Sequence, residues 1–281
     1  MLIIRERAAK VLGTFMNYKI GFIGCGNMAS AIIQGIIKKT DIKNTDIIVS
    51  DASEVAINKA YETLGVDATR SNTKVVSECE VLFLSIKPQF YQTVLEEIKD
   101  KVSKDQIIVT IAPGKTISWL ESILGNDVKL IRTMPNTPAL VGEGVTGVCK
   151  NANVTDEDFA YVMSLLSSFG MAEAIPENLM DVCVSVSGSS PAYVFMFIEA
   201  MADAAVADGM PRDKAYKFAA QAVLGSAKMV LETSKHPGEL KDMVCSPGGT
   251  TIEAVRVLED KGFRSSVIEA MKACTAKAKG L

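Results

Sequence analysis

The stretch Lys19-Ile-Gly-Phe-Ile-Gly-Cys-Gly-Asn-Met-Ala29 decides the fold. Its first five residues form an apolar run suited to a buried parallel strand, and Ser30 to Lys39 continues as a helical pattern. Between them stands G-x-G-x-x-A. Gly24 permits a tight turn, Gly26 lets a pyrophosphate approach the backbone, and Ala29 is small enough for the helix to pack closely on the strand. Working outward, Ile47-Ile-Val-Ser50 reads as a second strand closed by Asp51, about 20 residues beyond the turn, where a carboxylate can accept from a ribose 2′-OH. The competing reading of Asp51 is a polar residue that merely ends a strand. A carboxylate there repels the 2′-phosphate of NADP, and no arginine stands within a few residues of it, so this position leans to NADH. Arg70 and Lys74 lie further on, still able to reach that phosphate.

Alternation of strands and helices continues. Val81 to Ile86 is an apolar strand ending in Lys87-Pro88, Gln106 to Ile111 another ending in Ala112-Pro113-Gly114, and Val128 to Arg132 a further one followed by Met134-Pro-Asn-Thr-Pro138. In an open parallel sheet, ligands bind beyond the carboxyl ends of the strands, which puts Lys87, Gly114 and the Met134 to Pro138 loop on that edge. The two prolines stiffen the loop, which suits holding a ligand and equally suits a plain turn. Two more strands are expected around Gly147 and over Met171 to Ile175. They bracket a helix from about Thr155 to Phe169, capped by Thr155 with Asp158.

Beyond Pro176 no strand-like run remains. Ser189-Ser190-Pro191 reads as a helix start with serine as cap. Ala192 to Asp208 and Pro211 to about Ser234 follow as helices rich in alanine and glycine. Glu199, Asp203, Lys214, Lys217 and Lys228 interrupt them, which argues against membrane spans. Helices apolar around much of their surface must be buried, and a homodimer interwoven through them would do so. The expected fold is therefore α/β plus all-α: a Rossmann-type dinucleotide-binding domain over 16–176 with a mostly parallel sheet, then a helical dimerisation domain over 177–281. Residues 1–15 are set aside as a non-structural extension, since Leu2-Ile3-Ile4 is too short for a signal core.

Composition narrows the class. With 30 Lys+Arg against 33 Asp+Glu in 281 residues and no basic block, the footprint of a nucleic-acid binder is missing. The six cysteines are scattered without a C-x-x-C pair, which fits a reducing cytoplasm and argues against a disulfide framework or structural zinc. The single histidine, His236, sits in a turn and reads as an exposed bystander, so neither a metal centre nor a Ser-His-Asp arrangement is expected.

Within the helical half, Cys245-Ser-Pro-Gly-Gly-Thr-Thr-Ile252 opens an apolar-periodic run ending at Gly262. Adjacent glycines let several N–H groups point into one concavity at a helix start, a cup suited to a carboxylate. Thr250 and Thr251 put hydroxyls beside it. Alone, Pro-Gly-Gly is equally a turn and threonine a cap.

Together, Gly21 to Met28, Lys87-Pro88, Met134 to Pro138, Ser187 to Tyr193, His236-Pro-Gly, Leu240-Lys-Asp242 and Ser246 to Val255 resemble pyrroline-5-carboxylate reductase, over about Met16 to Met271 and nearest to bacterial members in the last third. The resemblance implies the last step of proline biosynthesis, with hydride passing from NADPH or NADH to the C=N carbon of 1-pyrroline-5-carboxylate. It carries cofactor contacts onto Phe22, Ile23, Gly24, Cys25, Gly26, Asn27, Met28, Asn72, Ser85, Ile86, Lys87, Pro88, Ala112, Pro113 and Gly114. Substrate contacts fall on Ser246, Pro247, Gly248, Gly249, Thr250 and Thr251, with Thr251 as the catalytic residue, placed to bond the ring nitrogen. Asp51 departs from the serine-like ribose site of an NADPH enzyme.

The chemistry agrees with the residue inventory, because an iminium is already electrophilic and its reduction needs positioning rather than a metal or nucleophile. Because the cup lies in the dimerising half, the reading leaves open whether it faces the cofactor of its own chain or a partner's. A 3-hydroxyacid dehydrogenase would need a lysine early in the first interdomain helix, and none follows Pro191 before Lys214. A non-catalytic NAD(P) sensor would have no use for a carboxylate cup with paired threonines.

Overall fold

The computed structural model describes residues 16–280, so the expected extension over residues 1–15 lies outside the described residues. The chain packs as two units, one comprising residues up to Gly188 with the C-terminal end from Lys277, the other Ser189–Ala276. This division falls beyond Pro176, because the segment after that proline remains tied to the first unit.

In the first unit eight strands form one sheet: β1 (Tyr18–Ile23), β2 (Ile47–Ser50), β3 (Asp67–Thr69), β4 (Cys79–Leu84), β5 (Ile107–Thr110), β6 (Lys129–Met134), β7 (Gly144–Lys150) and β8 (Gly170–Ala174). Their order is β3-β2-β1-β4-β5-β6-β7-β8. Every neighbouring pair is parallel except β6 and β7. The order reverses between β1 and β4, which opens a crevice at their carboxyl ends. Helices α1 (Asn27–Lys39), α2 (Glu54–Leu64), α3 (Asn72–Glu78), α4 (Tyr91–Ile98), α5 (Ile117–Leu124) and α6 (Asp156–Leu166) cover the sheet.

Two apolar cores result, one on each face. Ile20, Phe22, Phe83 and Val109 pack with Ile32, Ile33 and Ile36 of α1 and Leu165 and Leu166 of α6. Ile23, Leu82, Leu84 and Ile108 pack with Val75, Tyr91, Leu95 and Leu120 from α3, α4 and α5. Strands buried on both faces explain the unbroken apolar runs of β1 and β4. Gly35 is set by close packing, since a Cβ there would lie 2.6 Å from Phe169 Cβ. As expected, Thr155 caps α6, its hydroxyl accepting from Asp158 N at 3.1 Å.

After β8 the chain forms α7 (Met180–Cys183), a wider turn over Val184–Gly188, and then α8 (Ser190–Ala207). Widened turns of this kind often mark functional places in helices. Ser189 does not cap α8 as expected. The chain enters from the preceding helical turn with Ser189 already at φ −98 and ψ −25, and its hydroxyl receives the Cys274 thiol at 3.3 Å instead.

The second unit adds α9 (Arg212–Thr233), α10 (Pro237–Val244), α11 (Thr250–Asp260) and α12 (Phe263–Lys279). Its core is small: buried Ala202, Ala215 and Ala219, with Ile198, Met201 and Met210 against them. Phe195 is 63% exposed, Phe218 67% and Leu231 74%, far more large apolar surface than a self-sufficient unit leaves in water. The helical stretch Glu177–Ala207 is long and apolar enough to cross a bilayer by length and composition. Glu199 and Asp203 thus do not by themselves exclude a span there, whereas α9, which carries Lys214, Lys217 and Lys228, is not long and apolar enough to cross a bilayer.

Candidate active site

The glycine turn is built as its sequence requires. Gly24 adopts φ +92, and a Cβ there would stand 2.6 Å from the Ser85 carbonyl oxygen, so only glycine fits. Its N–H donates to Ser50 O at 2.7 Å. Gly26 differs: its φ is −72 and a Cβ would meet nothing within 4 Å. Glycine there keeps space open rather than relieving strain. Gly26 is also the N-cap of α1, and no side chain caps that helix. Amides at a helix start without a protein partner, facing open space, fit a dinucleotide pyrophosphate.

Asp51 stands immediately after β2, and its carboxylate is turned toward the protein. Oδ2 accepts from Cys25 N at 3.0 Å and from the Cys25 thiol at 3.7 Å, while Oδ1 accepts from Ser53 N at 2.9 Å. Burial and the neighbouring Asp51 charge push the Cys25 thiol up to about 12, so it stays protonated as a donor at neutral pH. Asn72 opens α3 beside the same edge. Its Oδ1 accepts from Ser50 Oγ at 2.8 Å and its Nδ2 donates to Glu97 Oε2 at 2.9 Å.

Across the switch point, Ser85, Ile86, Lys87 and Pro88 follow β4. Strand β4 ends at Leu84, so Ser85 and Ile86 belong to the loop rather than to the expected strand. Ser85 N donates to Ile23 O at 2.8 Å, and the buried Ser85 Oγ finds no partner among the described residues. Lys87 is exposed at the start of a short helical turn. Ala112, Pro113 and Gly114 follow β5, with Gly114 at φ +72. Beneath them the fully buried Tyr91 hydroxyl donates to Leu84 O at 2.6 Å and meets Thr110 Oγ1 at 2.8 Å. Tyr91 thereby ties the carboxyl ends of β4 and β5 together. The sheet therefore brings the turn from Phe22 to Met28, Asp51, Asn72, Ser85 to Pro88 and Ala112 to Gly114 to one edge.

The substrate residues expected over Ser246 to Thr251 lie in the second unit. Gly248 takes φ +69 and Gly249 N donates to Ser246 O at 3.0 Å. The left-handed Gly248 is required by the turn, whereas Gly249 has an extended backbone on which a Cβ would crowd Ser246 O at 3.1 Å. Gly249, not a threonine, is the N-cap of α11, and no side chain caps this helix. Thr250 and Thr251 are its first two residues, both exposed. The threonine-cap reading is thus set aside, and no side chain occupies the amides of this helix start among the described residues.

This geometry has a close counterpart among known proteins. The chain is 55% identical over 266 residues to the pyrroline-5-carboxylate reductase of Escherichia coli strain K12, covering 95% of this chain and 99% of the relative. The chain belongs to the pyrroline-5-carboxylate reductase family. The Methanosarcina acetivorans reductase is 42% identical, with 94% of this chain and 98% of that one covered. A crystal structure of the Plasmodium falciparum enzyme with NADP bound superposes with a TM-score of 0.86 at 33% identity, covering 95% and 98% of the two chains. The family model for pyrroline-5-carboxylate reductase dimerisation matches residues 177–281, and that for NADP oxidoreductase, coenzyme F420-dependent, matches residues 19–114.

The structure also shows supporting residues that the sequence left unassigned. Arg132 on β6, only 4% exposed, pairs with Glu177 at 3.1 Å and Asp181 at 3.5 Å. Glu177 Oε1 also accepts from Ile117 N at 2.8 Å. This cluster, with its arginine buried and its carboxylates partly exposed, ties the segment after Pro176 to β6. Asn136 of the proline-flanked loop accepts from Val145 N at 2.9 Å and donates to Ser187 O at 3.1 Å. Its carboxamide serves the scaffold. His236 is exposed, but it caps α10, Nδ1 accepting from Gly238 N at 3.0 Å. Only a cap motif could have signalled that role; no sequence pattern links Arg132 to its distant partners.

Proposed function

We propose that residues 16–176 bind NADPH or NADH, that 177–281 dimerise and bind substrate, and that the chain reduces 1-pyrroline-5-carboxylate to proline, the last step of proline biosynthesis. The observation that carries this reading is the 55% identity to the Escherichia coli reductase over nearly the whole of both chains. The glycine-turn amides and the open space at Gly26 hold the pyrophosphate, and Asp51 braces the turn. Ser85 to Pro88 and Ala112 to Gly114 form the floor for the nicotinamide, which supplies a hydride to the C=N carbon.

Gly248 and Gly249 present amides to the substrate carboxylate, and Thr251 bonds the ring nitrogen and orients it. One proton reaches that nitrogen, relayed from water through the Thr251 hydroxyl, so that hydride plus proton convert the imine to the amine. Positioning supplies most of the catalysis. The exposed apolar faces of α8 and α9 support an interwoven homodimer, with assembly beyond the dimer built on it. A second copy, rather than a bilayer, covers the apolar helix. Six unpaired cysteines support residence in the reducing cytoplasm.

The test is turnover of 1-pyrroline-5-carboxylate with NADPH and with NADH, following loss of reduced nicotinamide and identifying proline as product. Absence of turnover with both cofactors refutes the reading.

A further inference from the structure

The carboxyl end of β2 carries two opposite charges in adjacent register. Strands β2 and β3 pair in parallel with Ser50 opposite Thr69, so Asp51 and Arg70, the next residue of each strand, leave the sheet side by side. Their surroundings differ sharply. The Asp51 carboxylate accepts from two backbone amides and a thiol, all belonging to the glycine turn or the start of α2. Such donors disperse its charge and fix its direction toward the protein.

Arg70 is exposed, and its Nη2 donates to Ala52 O at 3.3 Å. Among the described residues no carboxylate lies within ion-pair distance of it. A guanidinium has five N–H donors. One bond to the loop after β2 anchors it there, and the remaining donors are left for a ligand. Ser53, in the same loop, uses its hydroxyl oxygen to accept from Ala56 N at 3.3 Å, keeping its own proton to donate.

We infer that Arg70 is the residue that selects the cofactor, taking the 2′-phosphate of a 2′-phosphorylated adenine dinucleotide in a charge-assisted bond, while Asp51 positions the glycine turn. On this inference Arg70 outweighs the lean toward NADH drawn from Asp51, because the donors on Asp51 disperse the charge from which repulsion was expected. This rests on the reading of the glycine turn as the pyrophosphate site.

The experiment uses calorimetric titration of the full chain with 2′,5′-ADP and with 5′-ADP, which differ by the 2′-phosphate. The expected result is that the unsubstituted protein prefers 2′,5′-ADP by about tenfold or more, a typical charge-assisted contribution. Arg70→Ala removes most of that preference and shifts 5′-ADP affinity by less than about twofold, Arg70→Lys restores part of it, and Asp51→Asn alters the ratio less than Arg70→Ala does. An unchanged ratio in Arg70→Ala, or a larger change in Asp51→Asn, overturns the assignment. If the unsubstituted protein binds 5′-ADP with no preference for the 2′-phosphate, the role of Arg70 alone falls. If it binds neither nucleotide, the reading of the glycine turn falls as well.

Discussion

Two glycines only two residues apart should respond to the same substitution in opposite ways. Gly26→Ala places a methyl where no atom lies within 4 Å, on a backbone at φ −72 that alanine adopts freely. The folding cost is confined to the N-cap preference for glycine over alanine, about 0.5–1 kcal/mol. The same methyl stands in the space through which a pyrophosphate must approach the α1 amides. Losing two charge-assisted bonds at about 1.5 kcal/mol each amounts to about 3 kcal/mol, on the order of a hundredfold in Kd. Gly24→Ala instead forces alanine to φ +92, with Cβ 2.6 Å from a backbone oxygen. The conformation alone costs about 1–2 kcal/mol, and the clash adds to it. Denaturant unfolding together with NADPH fluorescence titration separates the two. Gly26→Ala should unfold near the unsubstituted midpoint yet bind NADPH at least about thirtyfold more weakly. Retained affinity in a folded Gly26→Ala protein would refute the assignment of that space to the pyrophosphate.

Three further outcomes are expected. Thr251→Ala should lower kcat at least about tenfold while leaving the NADPH dissociation constant nearly unchanged, and unaltered turnover would remove Thr251 from the mechanism. Tyr91→Phe should destabilise the first unit by about 1–3 kcal/mol in denaturant unfolding, because it strips a donor from the buried Leu84 carbonyl and an acceptor from the Thr110 hydroxyl. Acid stability should depend on Asp158. Burial raises its carboxyl, but the Lys129 ammonium, 2.8 Å from Oδ2, together with the neighbouring Thr155, holds it below the usual carboxylate range. A lowered folded-state pKa contributes stability that is present above the unfolded-state value and disappears as pH falls through the folded one. Asp158→Asn should therefore flatten the acid limb of the stability profile below about pH 4, and an unchanged limb would show that the pair contributes nothing.

The glycine turn was legible because three small residues at fixed spacing between an apolar strand and a helix have few other uses, and in the structure Gly24 holds a left-handed backbone while Gly26 faces open space. Strand β3 was not legible. Asp67-Ala-Thr69 is three residues long at the sheet edge, without an apolar run to announce it, yet it carries Arg70 to the carboxyl end of β2 beside Asp51. The Arg132 cluster was hidden for another reason: Glu177 and Asp181 are distant in sequence, and only β6 and the segment after Pro176 bring them together. The threonines of the Pro-Gly-Gly-Thr-Thr segment read as possible caps, but the left-handed Gly248 and the Ser246 to Gly249 turn move the cap to Gly249 and leave both hydroxyls exposed.

The central claim is hydride transfer to the imine carbon, and isotope labelling tests it most directly. With NADPH deuterated on the transferring face of the nicotinamide C4 and 1-pyrroline-5-carboxylate as substrate, the account predicts proline carrying one deuterium on the ring carbon that is bonded to nitrogen and bears no carboxylate. Proline without that deuterium, or no proline at all, would contradict it.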